Sequence, residues 1–251
     1  MSIRTKRSRS RRARQEEFRA WTVERALREL ERYGEKRSVE GMARFGIRAK
    51  VVYGVSKPRL DEIAKKVGKN HALGMRLWET GIHDVRLLGM LISEPEEVTA
   101  GQMERWVRDF DNWDVCDGTC CHLFAAAKPA WGKAFEWSRR KREFEKRAGF
   151  ALAAYLAVHD KAADDIAFRK CLKVIEREAW DERNFVRKAV NWALRNIGKR
   201  NRTLNREAIH CAERIRKSGT RAGRWIAADA LRELRSEAVE NRLRRKRKEQ
   251  T

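Results

Sequence analysis

Proline is scarce: Pro58, Pro95 and Pro129 are the only three in 251 residues. Proline removes a backbone donor and breaks helices from within, so a chain with three, each near the start of a run with helical spacing, leaves its helices uninterrupted. Segments that alternate apolar and polar residues in the manner of strands are missing too. Together these absences predict an all-α fold. No stretch approaches the roughly 18–20 apolar residues that a bilayer span needs, and the arginine-rich N-terminus lacks the apolar centre of a secretory signal. An intracellular, cytoplasmic protein is expected. Five cysteines is an odd number, and Cys116, Cys120 and Cys121 are bunched, which is not the framework of a secreted disulfide scaffold. Gly-rich phosphate loops, HExxH helices and GxSxG elbows are absent, so nucleotide hydrolysis and serine chemistry have no support.

Acidic side chains are also in deficit, 36 against 59 Lys and Arg, for a formal charge of +23. The excess is not confined to the ends. Residues 1–14 carry seven basic side chains and no acid, and residues 242–251 carry a net +5, which leaves +11 on the rest. A body that basic suits a phosphate backbone, where each neutralised phosphate releases counterions. A hydrophobic content of 42%, with nine Trp and nine Phe, is enough for a core despite 38% charged residues.

Helical spacing recurs over 15–33, 36–46, 59–69, 71–79, 82–92, 99–108, 112–127, 131–144, 146–159, 162–177, 183–197, 202–217 and 220–240. Several of these runs begin with an Arg followed by small and apolar residues, at Arg86, Arg147, Arg187 and Arg221. The later intervals, 40 and 34 residues, are the length of one helix pair, and the first, 61, is too long for one repeat and too short for two, with room for a compressed or irregular repeat. That pattern predicts an α-solenoid of HEAT-like helical repeats with a concave, basic DNA-binding face. The organisation read from it is a basic arm over residues 1–14, a single repeat domain over 15–241 and a basic tail over 242–251.

Chemistry-bearing residues cluster in NWDVCD, where Asp111 or Asn112 can cap a helix and Asp114 meets its positive end. Asp117 follows Trp113 by four residues and shares its face with Cys120, Cys121 and Phe124. A carboxylate on such a stripe is either satisfied by a partner, often Arg, or held for work. Arg147 opens an apolar run, where an Arg commonly braces the neighbouring repeat through an acid. Trp192 is embedded in VRKAVNWAL, a setting typical of core. The spacing Cys116-x3-Cys120-Cys121-His122 suits zinc poorly, because neighbouring side chains diverge by about 100° around a helix. No metal and no cofactor is expected.

Taken jointly, NWDVCD, FEKRAGFAL and VRKAVNWAL, together with the segment from Arg44 to Ser93, resemble the bacterial DNA alkylation repair glycosylases built from HEAT-like repeats, the AlkD family. The resemblance covers about residues 40–217. It implies a monomeric DNA glycosylase that hydrolyses the N-glycosidic bond of positively charged alkylated purines, such as 3-methyladenine and 7-methylguanine, in double-stranded DNA. It assigns Asp117 to steadying the sugar and activating water, Trp113 and Trp192 to flanking sugar and lesion, and Arg147 to holding a backbone phosphate. The competing expectation is a non-catalytic HEAT-like module that binds duplex or branched nucleic acid, with Asp117 merely pairing Arg147.

Overall fold

The computed structural model describes residues 21–248. The arm expected over residues 1–14, and the end of the tail from residue 249, lie outside the described residues. Among those described, all regular elements are helical. In chain order they are α1 (Val23–Arg32), α2 (Lys36–Arg44), α3 (Lys57–Val67), α4 (His71–Glu79), α5 (His83–Ile92), α6 (Ala100–Arg108), α7 (Trp113–His122), α8 (Ala130–Trp137), α9 (Glu143–His159), α10 (Asp165–Glu178), α11 (Asn184–Gly198), α12 (Arg202–Lys217), α13 (Arg221–Leu234) and α14 (Glu237–Lys248). Short 3₁₀ turns occupy Pro95–Glu97 and Phe124–Ala126. The protein is all-α.

Most helices fall where the sequence predicts them. Most other ends agree within three residues, the run expected from residue 15 is helical from Val23 among the described residues, and three runs end differently for identifiable reasons. The run expected over 112–127 ends at His122 and continues as the 3₁₀ turn. The run expected over 131–144 stops at Trp137, where the Ser138 hydroxyl turns back to donate to the Phe135 carbonyl at 2.9 Å. The run expected over 220–240 is two helices, because Ser236 bonds backward to the Glu233 carbonyl and caps α14 by accepting from Val239 N–H. That last helix runs to Lys248, so most of the expected tail is helical as far as it is described.

The chain forms two compact units, one of residues up to Gly41 with Lys50–Ser93, the other of Met42–Ala49 with the described residues from Glu94 on. In the first, Asp84 is 1% exposed in the first turn of α5. Its carboxylate accepts from the backbone N–H groups of Tyr53 (2.6 Å), Gly54 (3.4 Å) and Val55 (2.8 Å), fastening the loop that enters α3.

The second unit has two rows. Helices α7, α9, α11 and α13 stack side by side in one row, and α6, α8, α10 and α12 back them in the other. This is the layering of HEAT-like repeats. Helix α9 has neighbours on several sides, and its sequence fits: Ala148, Phe150, Ala151, Leu152, Ala153, Ala154 and Leu156 are all buried. Successive loops are stitched by arginines. Arg142 donates to the Arg108 carbonyl at 3.0 Å, and Arg183 donates to that of Lys141 at 2.6 Å.

Glu104 ties α6 to α8, accepting from Lys133 Nζ and Trp137 Nε1 at 2.8 Å and from Arg140 Nη2 at 2.7 Å. Burial alone would raise its carboxyl, but those donors outweigh it and hold it at about 2 against an ordinary 4.5. The folded value lies below the unfolded one. This stabilisation, about 1–2 kcal/mol after solvent screening, is therefore complete above pH 4.5 and lost as pH falls toward 2. Glu104→Gln is expected to cost that amount at pH 7. Urea unfolding of wild type and variant should differ most at neutral pH and converge in acid; a pH-independent difference counts against this origin.

Candidate active site

Asn112 starts α7 by accepting from the N–H groups of Asp114 and Val115, so of the two expected caps it is Asn112 that serves. From that start the helical period places Trp113, Asp117 and Cys121 on one face. Cys116 and Cys120 turn inward and are fully buried. Their thiols donate to the carbonyls of Phe144 (3.6 Å) and Ala148 (3.7 Å). Burial pushes the Cys116 thiol well up, which makes it a packing group instead of a nucleophile. Among the described residues no group of three His, Cys, Asp or Glu side chains is placed to hold a metal ion.

Arg147 lies in the second turn of α9 and reaches across to α7. Its Nε donates to Asp117 Oδ1 at 2.8 Å and its Nη2 to Oδ2 at 2.6 Å, a two-point grip. Nη1 donates to the Phe185 carbonyl at 2.6 Å, tying in the start of α11. The Arg147 side chain is 8% exposed and that of Asp117 16%. Burial raises the Asp117 carboxyl above its ordinary value, while the Arg147 guanidinium pulls the other way. Beside a permanent cation the group is ionised at neutral pH. Arg147 takes one lone-pair site on each oxygen and the neighbouring Cys116 thiol also interacts with the carboxylate, which leaves acceptor capacity for a water or a ligand.

Both indoles are half-buried. Trp113 is fixed by its Nε1, which donates to the Phe45 carbonyl at 2.9 Å. Trp192, on α11, packs partly against the core and meets Tyr155 of α9 edge-on, with ring centres 4.9 Å apart at 81°. Tyr155 links the two sides of the site. Its phenol is pushed up by burial first, then by hydrogen bonding to Cys121 and by the charge of Asp117. The structure thus joins Asp117 to Arg147 directly, sets Trp113 one turn before Asp117, and connects Trp192 to that face through Tyr155.

Two members of this constellation escape a reading of the sequence. Tyr155 follows Arg147 by two turns, at positions 147, 151 and 155 of one helical face, a spacing that would have found it. Phe185 contributes a backbone carbonyl, for which no side-chain signal exists. Its ring lies 5.9 Å from the Arg147 guanidinium and 5.4 Å from Phe144. The bracing reading of Arg147 matches these bonds better than a free phosphate ligand, because three of its nitrogens are already engaged.

A further regularity runs along the chain. Arg86, Arg147 and Arg187 occupy the fourth or fifth position of α5, α9 and α11, whereas the expected Arg221 opens α13 and Arg224 stands at its fourth position, and α7 carries Asp117 in that slot. The long interval between Arg86 and Arg147 therefore does contain a repeat, with an acid in the basic slot.

A solved structure described as a new family of proteins related to the HEAT-like repeat DNA glycosylases, with affinity for branched DNA structures, superposes with a TM-score of 0.71. It is 19% identical and the match covers 84% of this chain and 95% of that one, so the likeness is one of fold. No curated protein matches. The sequence pattern of the DNA alkylation repair enzymes fits residues 26–234, which include every helix of the row that bears Asp117 and all four of the residues brought together here. The chain is thus a member of the DNA alkylation repair enzyme family.

Proposed function

We propose that this protein is a glycosylase that removes cationic alkylated purines, of the 3-methyladenine and 7-methylguanine type, from double-stranded DNA, working as a monomer without a cofactor. The observation that carries this reading is the ionised Asp117 carboxylate, locked in orientation by Arg147 on a face that also bears Trp113, Tyr155 and Trp192. Alkylation at N3 or N7 gives the base a positive charge. The C1′–N bond then breaks with its electron pair going to the base, which leaves neutral and needs no proton from the protein. The sugar is left short of electrons. A fixed carboxylate near C1′ stabilises that charge and accepts a proton from the incoming water as its oxygen bonds to C1′. Indole faces favour a cation beside them.

The second reading is a DNA-holding module without catalysis. It is favoured by the saturation of Arg147, since a pair of this kind also serves as a plain brace between repeats. Incubation of the purified chain with methylated duplex DNA, followed by chromatography of the liberated bases, separates the two. Release of 3-methyladenine and 7-methylguanine above the uncatalysed rate supports the glycosylase. No release, together with tighter binding to a three- or four-way junction than to a linear duplex, supports the module.

A further inference from the structure

With Arg147 committed to Asp117, a different residue has the chemistry to hold DNA beside the site. We infer that Arg187, laid over Trp225, grips a backbone phosphate one repeat beyond Asp117. The inference rests on the reading that this row of helices holds DNA, but not on catalysis.

Arg187 sits 40 residues after Arg147, at the matching place on the next helix of the row. Its guanidinium carbon lies 5.0 Å from the centre of the Trp225 ring, across the α11–α13 boundary. Among the described residues its one hydrogen bond is long, 3.4 Å from Nη2 to Asn184 Oδ1, and its Nε is buried with no partner. Neighbouring arginines on the same side of the stack are neutralised. Arg147 pairs with Asp117, Arg183 with Asp181, and Arg195 with Glu233. The acids within range are spent elsewhere. Glu182 accepts from the Ala222 N–H at 2.8 Å, and Asp229, one turn beyond Trp225, accepts from Asn191 at 2.7 Å and is paired with Arg195 and Arg232.

A partly desolvated guanidinium without a counterion is unfavourable, and an anionic ligand relieves it. Stacking on an indole holds the guanidinium plane and leaves its edge available for the two-point contact that phosphate oxygens accept. Lys188, Arg221 and Arg224 are exposed nearby, so the surroundings attract a polyanion, and no ion pair is formed by Arg187 among the described residues. Trp225, 37% exposed, also presents a face to the adjoining sugar.

The test is binding of a fluorescein-labelled undamaged duplex of about 20 base pairs, followed by anisotropy across a series of salt concentrations. Arg187→Gln, close in shape and neutral, is expected to raise Kd about tenfold and to reduce the slope of log K against log salt by about one, the loss of a single phosphate contact. Arg187→Lys should restore the slope while leaving Kd a few-fold above wild type, since charge returns without the fork. Trp225→Leu should weaken binding with the slope unchanged. Far-UV circular dichroism checks that each variant is folded. A wild-type slope in Arg187→Gln overturns the assignment, as does a reduced slope that Arg187→Lys fails to restore. Base release is scored separately. If the wild type liberates no base yet the slope falls in Arg187→Gln, catalysis is refuted and the phosphate contact stands. If the wild type liberates base and the slope is unchanged in Arg187→Gln, the phosphate contact is refuted and catalysis stands.

Discussion

Asp117→Asn should lower the release of 3-methyladenine and 7-methylguanine from methylated duplex DNA by a factor on the order of 10²–10⁴, the range for removing a well-placed base or electrostatic stabiliser. Duplex affinity should change less than about threefold, because the lost charge is needed only as the sugar becomes cationic. The substitution is close in shape but not innocent. Arg147 presents Nε–H and Nη2–H to the two carboxylate oxygens. An amide offers one acceptor and one donor in their place, so one N–H faces another. A fall in stability of about 1–3 kcal/mol is expected, and release must be measured well below the variant's melting temperature. Wild-type activity has its own signature. Burial raises the Asp117 carboxyl, so as the medium is acidified the enzymatic rate should fall with a midpoint above that of a solvated aspartate, 3.8, after subtraction of spontaneous depurination. If the variant releases base at the wild-type rate, Asp117 is a brace and nothing more.

The second large effect is structural. Gly149 lies two residues after Arg147, where α9 crosses the end of α8. A Cβ there would stand 2.3 Å from the Ser138 nitrogen, 2.8 Å from its Cα and 2.9 Å from the Trp137 carbonyl carbon. All three are backbone atoms, so no side chain can swing aside, and the two helices must separate. Overpacking ordinarily costs about 1–3 kcal/mol, and a clash between main chains belongs at or above the upper end, so Gly149→Ala should cost about 3 kcal/mol or more. For a chain of this size that lowers the melting temperature by roughly 6–12 °C. Calorimetry decides it, and a shift under about 2 °C would mean that the helices part easily. Since α9 carries Arg147 and Tyr155, the same movement should loosen the grip on Asp117.

How much of the molecule is legible in its sequence depends on the range of the interaction that fixes each feature. Helix positions follow from apolar spacing within a dozen residues. Runs such as 71–79 and 202–217 coincide with α4 and α12 to the residue. The unexpected breaks at His122, Trp137 and Arg235 occur where the apolar period carries on past the end of the helix. Each is made by the chain turning back on itself, through a 3₁₀ turn or a serine hydroxyl. The site divides in the same way. Asp117 on a mostly apolar face is visible as a group needing a partner or a task. Its partner, 30 residues away, is foreseen only in the competing expectation that Asp117 pairs Arg147, and the carbonyl of Phe185 that completes the grip is a tertiary fact with no sequence signal. Asp84 illustrates the opposite failure. An acid in the first turn of a helix is usually explained by the helix dipole, yet here it fastens a loop some 30 residues earlier in the sequence.

The odd slot in α7 bears on how a long, regular polymer is registered against a stack of near-copies. Within the second unit, similar layers with a cation in the same helical slot would let a double helix settle at several offsets one layer apart with little to choose between them. A lone negative member of that series removes the degeneracy. On the proposed glycosylase reading that layer, whose acid and arginine neutralise one another, is the one with no spare cation for the phosphates, and so it marks which nucleotide along the strand is under inspection.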